Sequence, residues 1–422
     1  MKALKLISSA VLLIVVAACT NEVLSPVIPE IAPTSPAVRE PTSRIDPSLS
    51  IREQQMTDGN NVFAWDLFRQ IVKTEKNKNI FISPLSASYA LSMLGNGAAS
   101  STLEELKAVL GSTDYSMTEI NAYYKKLTEY LLKADGATVL GIANSLWMNK
   151  DFTPYDTFVK TNKDSYQAEV QSLDFAQPAS RKTINDWVSD KTYKYIPELL
   201  DKLLPTDILF LINTLYFDGL WSTQFQESKG DFTGSNGTKI TTQCLTNEKY
   251  YRYYTGDGLQ IAELPYGNET YSMVMVLPEA GLTLQRALEK CAANWNKFSS
   301  GLKETLLRMS LPTFKMDYSR ELTDDLKALG MTRSFSVEAD FSALAKAPLM
   351  VSEVLQKTKI DVNKYGTTAA GATVIKMGLT SPGNEVVKPT PVDFIVNRPF
   401  LFAIRENSTN ALLFIGQIEE LK

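Results

Sequence analysis

The chain has no histidine among its 422 residues, and this absence excludes much of enzyme chemistry. Histidine is the general base of Ser-His-Asp and Cys-His nucleophilic sites and the commonest protein ligand of zinc. The sequence also lacks a Gly-x-x-x-x-Gly-Lys phosphate loop, and Gly95-Asn96-Gly97 follows a helical pattern rather than a strand, unlike a dinucleotide-binding motif. We therefore expect no enzymatic activity, no catalytic residues, no cofactor and no metal.

An excess of positive charge is also lacking. Lys and Arg number 43 against 47 Asp and Glu, and a net charge of −4 offers no basic surface to nucleic acid or to an anionic membrane. Cysteine is scarce, with Cys19, Cys244 and Cys291 only. Cys244 and Cys291 are predicted to be buried small hydrophobes, although an oxidising compartment would permit a disulfide between them.

Residues 1–18 have the pattern of an export signal. Two lysines precede an apolar run from Leu6 to Ala18, and small residues stand directly before Cys19. This pattern is typical of a bacterial lipoprotein cleavage site, after which Cys19 becomes the lipidated first residue; the alternative is an ordinary secretory signal with an incidental cysteine. Both predict an exported protein. Thr20, rather than Asp, favours by resemblance to lipoprotein sorting the outer membrane, at the cell surface or facing the periplasm.

Residues 19–50 are rich in proline, serine and threonine. Such a segment cannot build a core, and at about 3 Å per residue it would hold a folded domain up to ~90 Å from the membrane. We predict a tether here, followed by a single folded domain over residues 51–422. The prolines are Pro26, Pro29, Pro33, Pro36, Pro41 and Pro47.

The remainder of the chain mixes helical and strand patterns without a βαβ alternation, which predicts an α+β fold. Asn61 to Thr74 has helical spacing, and Ser83-Pro84 is a helix start. Ser101-Thr102-Leu103-Glu104 resembles a capping box for a helix that Gly111 ends. The apolar run from Leu209 to Phe217 predicts a buried strand, in which Asn213 needs polar partners.

Four segments carry a more specific signal because they occur together and in order. They are Asn79-Ile80-Phe81-Ile82-Ser83-Pro84-Leu85-Ser86-Ala87-Ser88-Tyr89-Ala90-Leu91, Asn185-Asp186-Trp187-Val188, the stretch from Asn213 to Trp221, and Phe394-Ile395-Val396-Asn397-Arg398-Pro399-Phe400-Leu401-Phe402. In these segments the chain resembles the serpin family, over roughly Asn61 to Lys422. The resemblance implies helices around three β-sheets, with an exposed reactive-centre loop at about residues 364–392.

The resemblance also implies a function. In inhibitory serpins a protease cleaves the loop and forms an acyl-enzyme, which is trapped when the loop inserts into the main sheet. It implies a monomeric suicide-substrate inhibitor of serine, and of papain-like cysteine, proteases. Its partners would be these proteases and, through the lipid on Cys19, a membrane. The alternatives are a non-inhibitory serpin with a binding role and a surface lipoprotein that captures glycans.

The segment from Gly366 to Ile375 is uncharged and small, as a strand entering a packed sheet must be. A period of two places Thr367, Ala369, Gly371 and Thr373 on one face, and it places Thr368, Ala370, Ala372 and the charged Lys376 on the other. The resemblance implies that the face of Thr367 is the inward one. By resemblance the hinge comprises Gly366, Thr367, Thr368, Ala369, Ala370, Gly371, Ala372 and Thr373.

The family register, counted from Gly366, implies cleavage at Thr380-Ser381, which would suit a protease with a small specificity pocket. Two alternatives remain open. Lys376-Met377 would be cut by trypsin-like enzymes, and Leu379-Thr380 by chymotrypsin-like or subtilisin-like ones.

The resemblance further implies a sheet-opening cluster of Ser83, Ser86, Asn213, Trp221 and Gln356. Gln356 stands where a histidine is usual, and its amide both donates and accepts hydrogen bonds. Lys364 stands where an acidic residue is usual, so a hinge salt bridge is predicted to be missing or reversed. Asp218 replaces a usual lysine.

Overall fold

The structure, a computed structural model, describes residues 39–367 and 389–421. The predicted signal segment, Cys19 and most of the predicted tether lie outside the described residues. So do the greater part of the predicted loop and Lys422. In the part of the chain that the structure describes, no helix has the length and hydropathy to cross a membrane.

Helices form where apolar spacing is combined with capping side chains. The hydroxyl of Ser50 accepts the N–H of Glu53, whose carboxylate accepts the N–H of Ser50, and this capping box starts α1 (Ile51–Thr74). Ser83 and Pro84 start α2 (Pro84–Gly95), as predicted. The other helices are α3 (Ser100–Val109), α4 (Met117–Leu131), α5 (Asp156–Tyr166), α6 (Pro178–Lys191), α7 (Leu284–Gly301) and α8 (Thr323–Ala328).

The capping box predicted at Ser101 is wrong, because the N-cap of α3 is Ala99, two residues earlier, and its side chain makes no capping hydrogen bond. The neighbouring hydroxyls bond a distant loop instead. Ser100 donates to the Asp340 carboxylate at 2.7 Å, and the Thr102 hydroxyl accepts the Asp340 N–H at 2.9 Å. Gly111 follows the helix in the left-handed region, with φ +62°, and this agrees with the predicted end.

The strands in chain order are β1 (Ile80–Ile82), β2 (Thr138–Asn149), β3 (Glu169–Leu173), β4 (Leu209–Leu220), β5 (Gln226–Thr233), β6 (Lys239–Gly256), β7 (Leu259–Pro265), β8 (Tyr271–Pro278), β9 (Lys303–Pro312), β10 (Phe314–Glu321), β11 (Leu355–Asn363), β12 (Gly366–Thr367), β13 (Val392–Ile395), β14 (Phe400–Glu406) and β15 (Leu412–Ile418). β4 contains the buried strand predicted from Leu209 to Phe217 and continues three residues beyond it.

Among the described residues these strands form two sheets rather than the three that the family resemblance implies. A six-stranded sheet has the order β10-β11-β12-β4-β2-β3. A nine-stranded sheet has the order β1-β15-β14-β8-β7-β6-β9-β13, with β5 also on β6. β6 is 18 residues long and pairs with β5 and β9 before it reaches β7, so it joins what would otherwise be two sheets.

The main core fills the space between the two sheets. In it the ring of Phe81 stacks on Phe402 and Phe414, with centroids 5.6 and 5.1 Å apart. A smaller core lies on the opposite face of the six-stranded sheet, where Trp187 of α6 meets Trp147 of β2 edge-to-face. Cys244 and Cys291 are buried and unpaired, which agrees with their prediction as small hydrophobes.

The predicted tether ends earlier than residue 50, because the described residues from 39 onward lie against the domain. Thr42 accepts the backbone N–H of Gly136 at 3.1 Å through its hydroxyl, and its carbonyl accepts the side-chain amide of Asn268 at 3.0 Å. Ser48 is bonded by Lys126. The prolines in this stretch stiffen a segment that is docked rather than free.

Candidate functional site

The six-stranded sheet contains a slot between two of its central strands. β12 lies between β11 and β4, pairing Thr367 with Val362 on one side and with Gly219 on the other. β12 has only two residues, and among the described residues β4 and β11 pair with no strand in the rest of the space between them. A cavity of about 210 Å³ lies there, lined by residues of both strands, including Leu211, Leu215 and Gln356.

Gly366 and Thr367 form the top of this slot. A Cβ on Gly366 would lie 1.9 Å from the carbonyl oxygen of Gly219, so only glycine fits this pairing. Thr367 is 2% exposed, and its hydroxyl shares a hydrogen bond with the Tyr266 hydroxyl. Burial raises the pKa of Tyr266, which keeps this phenol neutral. The side chain of Thr367 is thus buried on the side of the sheet that Tyr266 covers.

Trp221 lies in this hinge region and not in the predicted sheet-opening cluster. Its indole N–H donates to the carbonyl of Asn363 at 2.9 Å, and its ring stacks on Tyr266 at 4.5 Å between centroids. Trp221 is eight residues beyond Asn213 along the chain, which in extended backbone corresponds to roughly 25 Å. The resemblance therefore grouped a residue within β4 with one that lies just beyond its end.

The other four members of the cluster meet at the first turn of α2. The Gln356 side chain accepts the N–H of Ser83 at 3.0 Å and donates to the Ser83 carbonyl at 2.8 Å. Ser86 donates to the backbone carbonyl of Asn213 at 3.3 Å. The start of α2 is thereby bonded to β11 through Gln356 and to β4 through Asn213. Gln356 supplies both a donor and an acceptor, and a neutral histidine ring also has one of each.

The Asn213 side chain finds its partner elsewhere. Its amide nitrogen donates to the Asn144 side-chain oxygen of β2 at 2.7 Å, so it ties two neighbouring strands of the sheet. Among the described residues, no hydrogen bond joins Asn213 directly to Gln356. At this level the described residues link the two strands through the start of α2, whereas at the top of the slot β12 pairs with both.

The hinge salt bridge is reversed. The ammonium of Lys364 lies 2.8 Å from the carboxylate of Glu227 on β5, and this carboxylate raises the pKa of Lys364. Both side chains are well exposed, so the bridge contributes little to stability. Its effect is to hold the segment before β12 close to β5.

Sequence reasoning missed Arg39, which it assigned to the tether. The guanidinium of Arg39 donates to the Asp218 carboxylate at 2.9 Å and to its backbone carbonyl at 3.0 Å. Burial raises the pKa of Asp218, and Arg39 opposes that rise by stabilising the carboxylate. A charged residue inside an otherwise uncharged strand was the available signal, because a largely buried carboxylate requires a cation.

The remaining predicted site residues lie outside the described residues. This applies to the hinge residues Thr368, Ala369, Ala370, Gly371, Ala372 and Thr373, and to the candidate cleavage residues Lys376, Met377, Leu379, Thr380 and Ser381. Among the residues that are described, no group of three or more acidic or cysteine side chains is placed to hold a metal ion.

The six-stranded sheet thus has, between β4 and β11, a strand of only two residues among the residues that the structure describes. The family model described as "Serpin (serine protease inhibitor)" matches residues 58–421. Human Serpin B4 is 32% identical over 391 residues, covering 86% of this chain and 98% of its own. The chain belongs to the serpin family.

Solved structures agree with this assignment. The native state of the thermophilic serpin tengpin superimposes with a TM-score of 0.78 at 32% identity, covering 91% of this chain and 98% of tengpin. Human thyroxine-binding globulin in complex with thyroxine superimposes with a TM-score of 0.78 at 26% identity, covering 87% of this chain and 99% of its own. Solved structures that share this fold thus include one that contains a bound small molecule.

Proposed function

We propose that this serpin is a suicide-substrate inhibitor of serine proteases, and of papain-like cysteine proteases, that traps the acyl-enzyme by inserting its cleaved loop into the slot between β4 and β11. The observation that carries the proposal is β12. Gly366 and Thr367 already pair with both strands, in the antiparallel sense that a longer inserted strand would continue. The segment that follows in sequence is small and uncharged through Ile375.

The energetics favour such an insertion. A strand entering between β4 and β11 forms backbone hydrogen bonds on both of its sides, and at ~1 kcal/mol net per bond ten or more bonds contribute on the order of 10 kcal/mol. This is comparable with the whole stability of a domain. The walls of the slot are largely apolar. Inward-facing Ala369, Gly371 and Thr373 would therefore bury surface against these walls, and none of them would bring a charge into the slot.

The proposal is tested by incubating the purified protein with subtilisin, elastase, chymotrypsin, trypsin and papain. We expect at least one of these proteases to form a one-to-one complex that survives denaturing electrophoresis, because only a trapped acyl-enzyme is covalent. Mass spectrometry of the released C-terminal fragment would identify the cut among Lys376-Met377, Leu379-Thr380 and Thr380-Ser381. Cleavage by every protease without complex would instead favour the non-inhibitory alternative, to which the likeness with thyroxine-binding globulin points.

We also propose that the protein is an exported lipoprotein held in the membrane through Cys19. Replacing residues 1–19 by a cleavable secretory signal that contains no cysteine is expected to move the protein from the membrane fraction to the soluble fraction. Inhibition is expected to stay unchanged, since Cys19 precedes the first described residue that contacts the domain. Fractionation by centrifugation, with an activity assay on both fractions, makes the measurement. Membrane retention of the variant would contradict the lipid anchor.

A further inference from the structure

Tyr266, in the turn between β7 and β8, lies against the first residues of the hinge. Its side chain is 0% exposed, and the hydrogen bond that its hydroxyl shares with Thr367 is the only one that either hydroxyl makes among the described residues. Thr367 is buried as well, and its backbone pairs with a strand on each side. A buried hydroxyl without a partner is unfavourable, so each of these two groups depends on the other.

The phenol ring of Tyr266 is held in place by its neighbours. It stacks on Trp221 at 4.5 Å between centroids and meets Phe217 edge-to-face at 5.0 Å. Gly219 leaves room for the ring, because a Cβ there would lie 2.9 Å from one of its carbons. The backbone N–H of Tyr266 donates to the Tyr271 carbonyl at 2.8 Å, which fixes the turn. The hydroxyl therefore occupies a set position to which the hinge must come.

This hydrogen bond is made only while the hinge lies in the sheet. Gly366 and Thr367 pair with Leu220 and Gly219 of β4, so withdrawal of these two residues would separate the two hydroxyls. Ordering the first residues of a strand costs conformational entropy before any later bond can form. A hinge that is already held between β4 and β11 therefore lowers the barrier to further insertion.

We propose that Tyr266 is a positioning residue that holds Thr367 in the sheet before any protease arrives, so that loop insertion continues from a strand that has already begun. The effect on insertion rests on the proposed inhibitory function, whereas the hydrogen bond is a property of the uncleaved protein. Removing either hydroxyl leaves the other buried without a partner until withdrawal of the hinge admits water to it. Removing both leaves two apolar side chains of nearly the same shape, which pack without that penalty.

Hydrogen exchange of the uncleaved protein tests this role without a protease. In Tyr266→Phe we expect the backbone amides of residues 366–367 to exchange about tenfold faster than in wild type, as loss of one buried hydrogen-bond partner implies. Thr367→Val alone is also expected to exchange faster, and the double variant Tyr266→Phe/Thr367→Val is expected to return to near the wild-type rate. A peptide that covers β15 is the internal control, because general destabilisation would raise its exchange as well.

The ratio of covalent complex to cleaved inhibitor on denaturing gels tests the effect on insertion. It is expected to fall about tenfold in Tyr266→Phe and to recover in the double variant. If wild type forms no complex with any protease, the proposed function fails, while the exchange measurement still decides whether Tyr266 holds the hinge. Thr367→Val carries the same comparison if Tyr266→Phe does not fold. Wild-type exchange in the single variants, equally fast exchange in the double variant, or a complex ratio unchanged by faster exchange would overturn the inference.

Discussion

Thr367→Arg is expected to abolish the covalent complex with the target protease while leaving cleavage of the loop intact. Thr367 is 2% exposed, in contact with Tyr266, and it is the first inward residue of the strand that would insert. Burying an unpaired guanidinium there costs several kcal/mol. This cost arises before later hydrogen bonds can form, so insertion slows and hydrolysis of the acyl-enzyme overtakes it. The inhibitor becomes a substrate.

The measurement is the ratio of covalent complex to cleaved inhibitor on denaturing gels, in a time course with excess protease. Thr368→Arg is the matched control, because it places the same charge on the outward face that the alternation predicts and should remain an inhibitor. Near-quantitative complex from both variants would show that insertion from this hinge does not trap the protease.

Cleavage within the loop is expected to raise the melting temperature. The freed segment would add hydrogen bonds to β4 and β11 and fill the cavity between them, a contribution on the order of 10 kcal/mol. For a domain of this size that corresponds to a rise of roughly 10 °C or more. Ordinary loop cleavage has the opposite sign, because it increases the entropy of the unfolded chain. The direction of the shift alone therefore distinguishes insertion from simple nicking.

Scanning calorimetry before and after limited proteolysis between Met377 and Ser381 measures this shift. Cleaved Thr367→Arg is the matched comparison, since its loop is cut but its first inward residue resists burial; we expect it to gain little or none of the stability. An unchanged melting temperature for the cleaved wild-type protein would mean that the slot does not take up the loop.

Features that depend on neighbours in the chain could be predicted from the sequence. Ser83 caps α2 because its hydroxyl reaches the N–H of Ser86 three residues on, a contact within one helical turn. The apolar run in β4 and the small residues from Gly366 onward are likewise local patterns. The serpin motifs then indicated the fold, since four long segments in order specify a topology that no single segment does.

Features that depend on distant partners could not be predicted in the same way. Ser101 and Glu104 have the spacing of a capping box, but Ala99 is the N-cap of α3 and the hydroxyl of the adjacent Thr102 bonds Asp340, which is 238 residues away. Arg39 lies in a segment with the composition of a tether, but its guanidinium binds the Asp218 carboxylate of β4. Trp221 follows β4 directly and Asn213 lies within it, and only their contacts show that Trp221 belongs to the hinge region and Asn213 to the start of α2. The ion pair between Lys364 and Glu227 on β5 could not be predicted either, because the two residues are far apart in the chain.

The sequence by itself determined the chemistry of this protein: no histidine for catalysis, a hinge without charge or bulk, and the motifs of a serpin. The tertiary structure alone decided where those residues act. It placed Gly366 against Gly219 and Thr367 against Tyr266, and it separated β4 from β11. The physical reason is that composition and short-range pattern set what a segment can bury, whereas strand register and packing set which distant groups it meets.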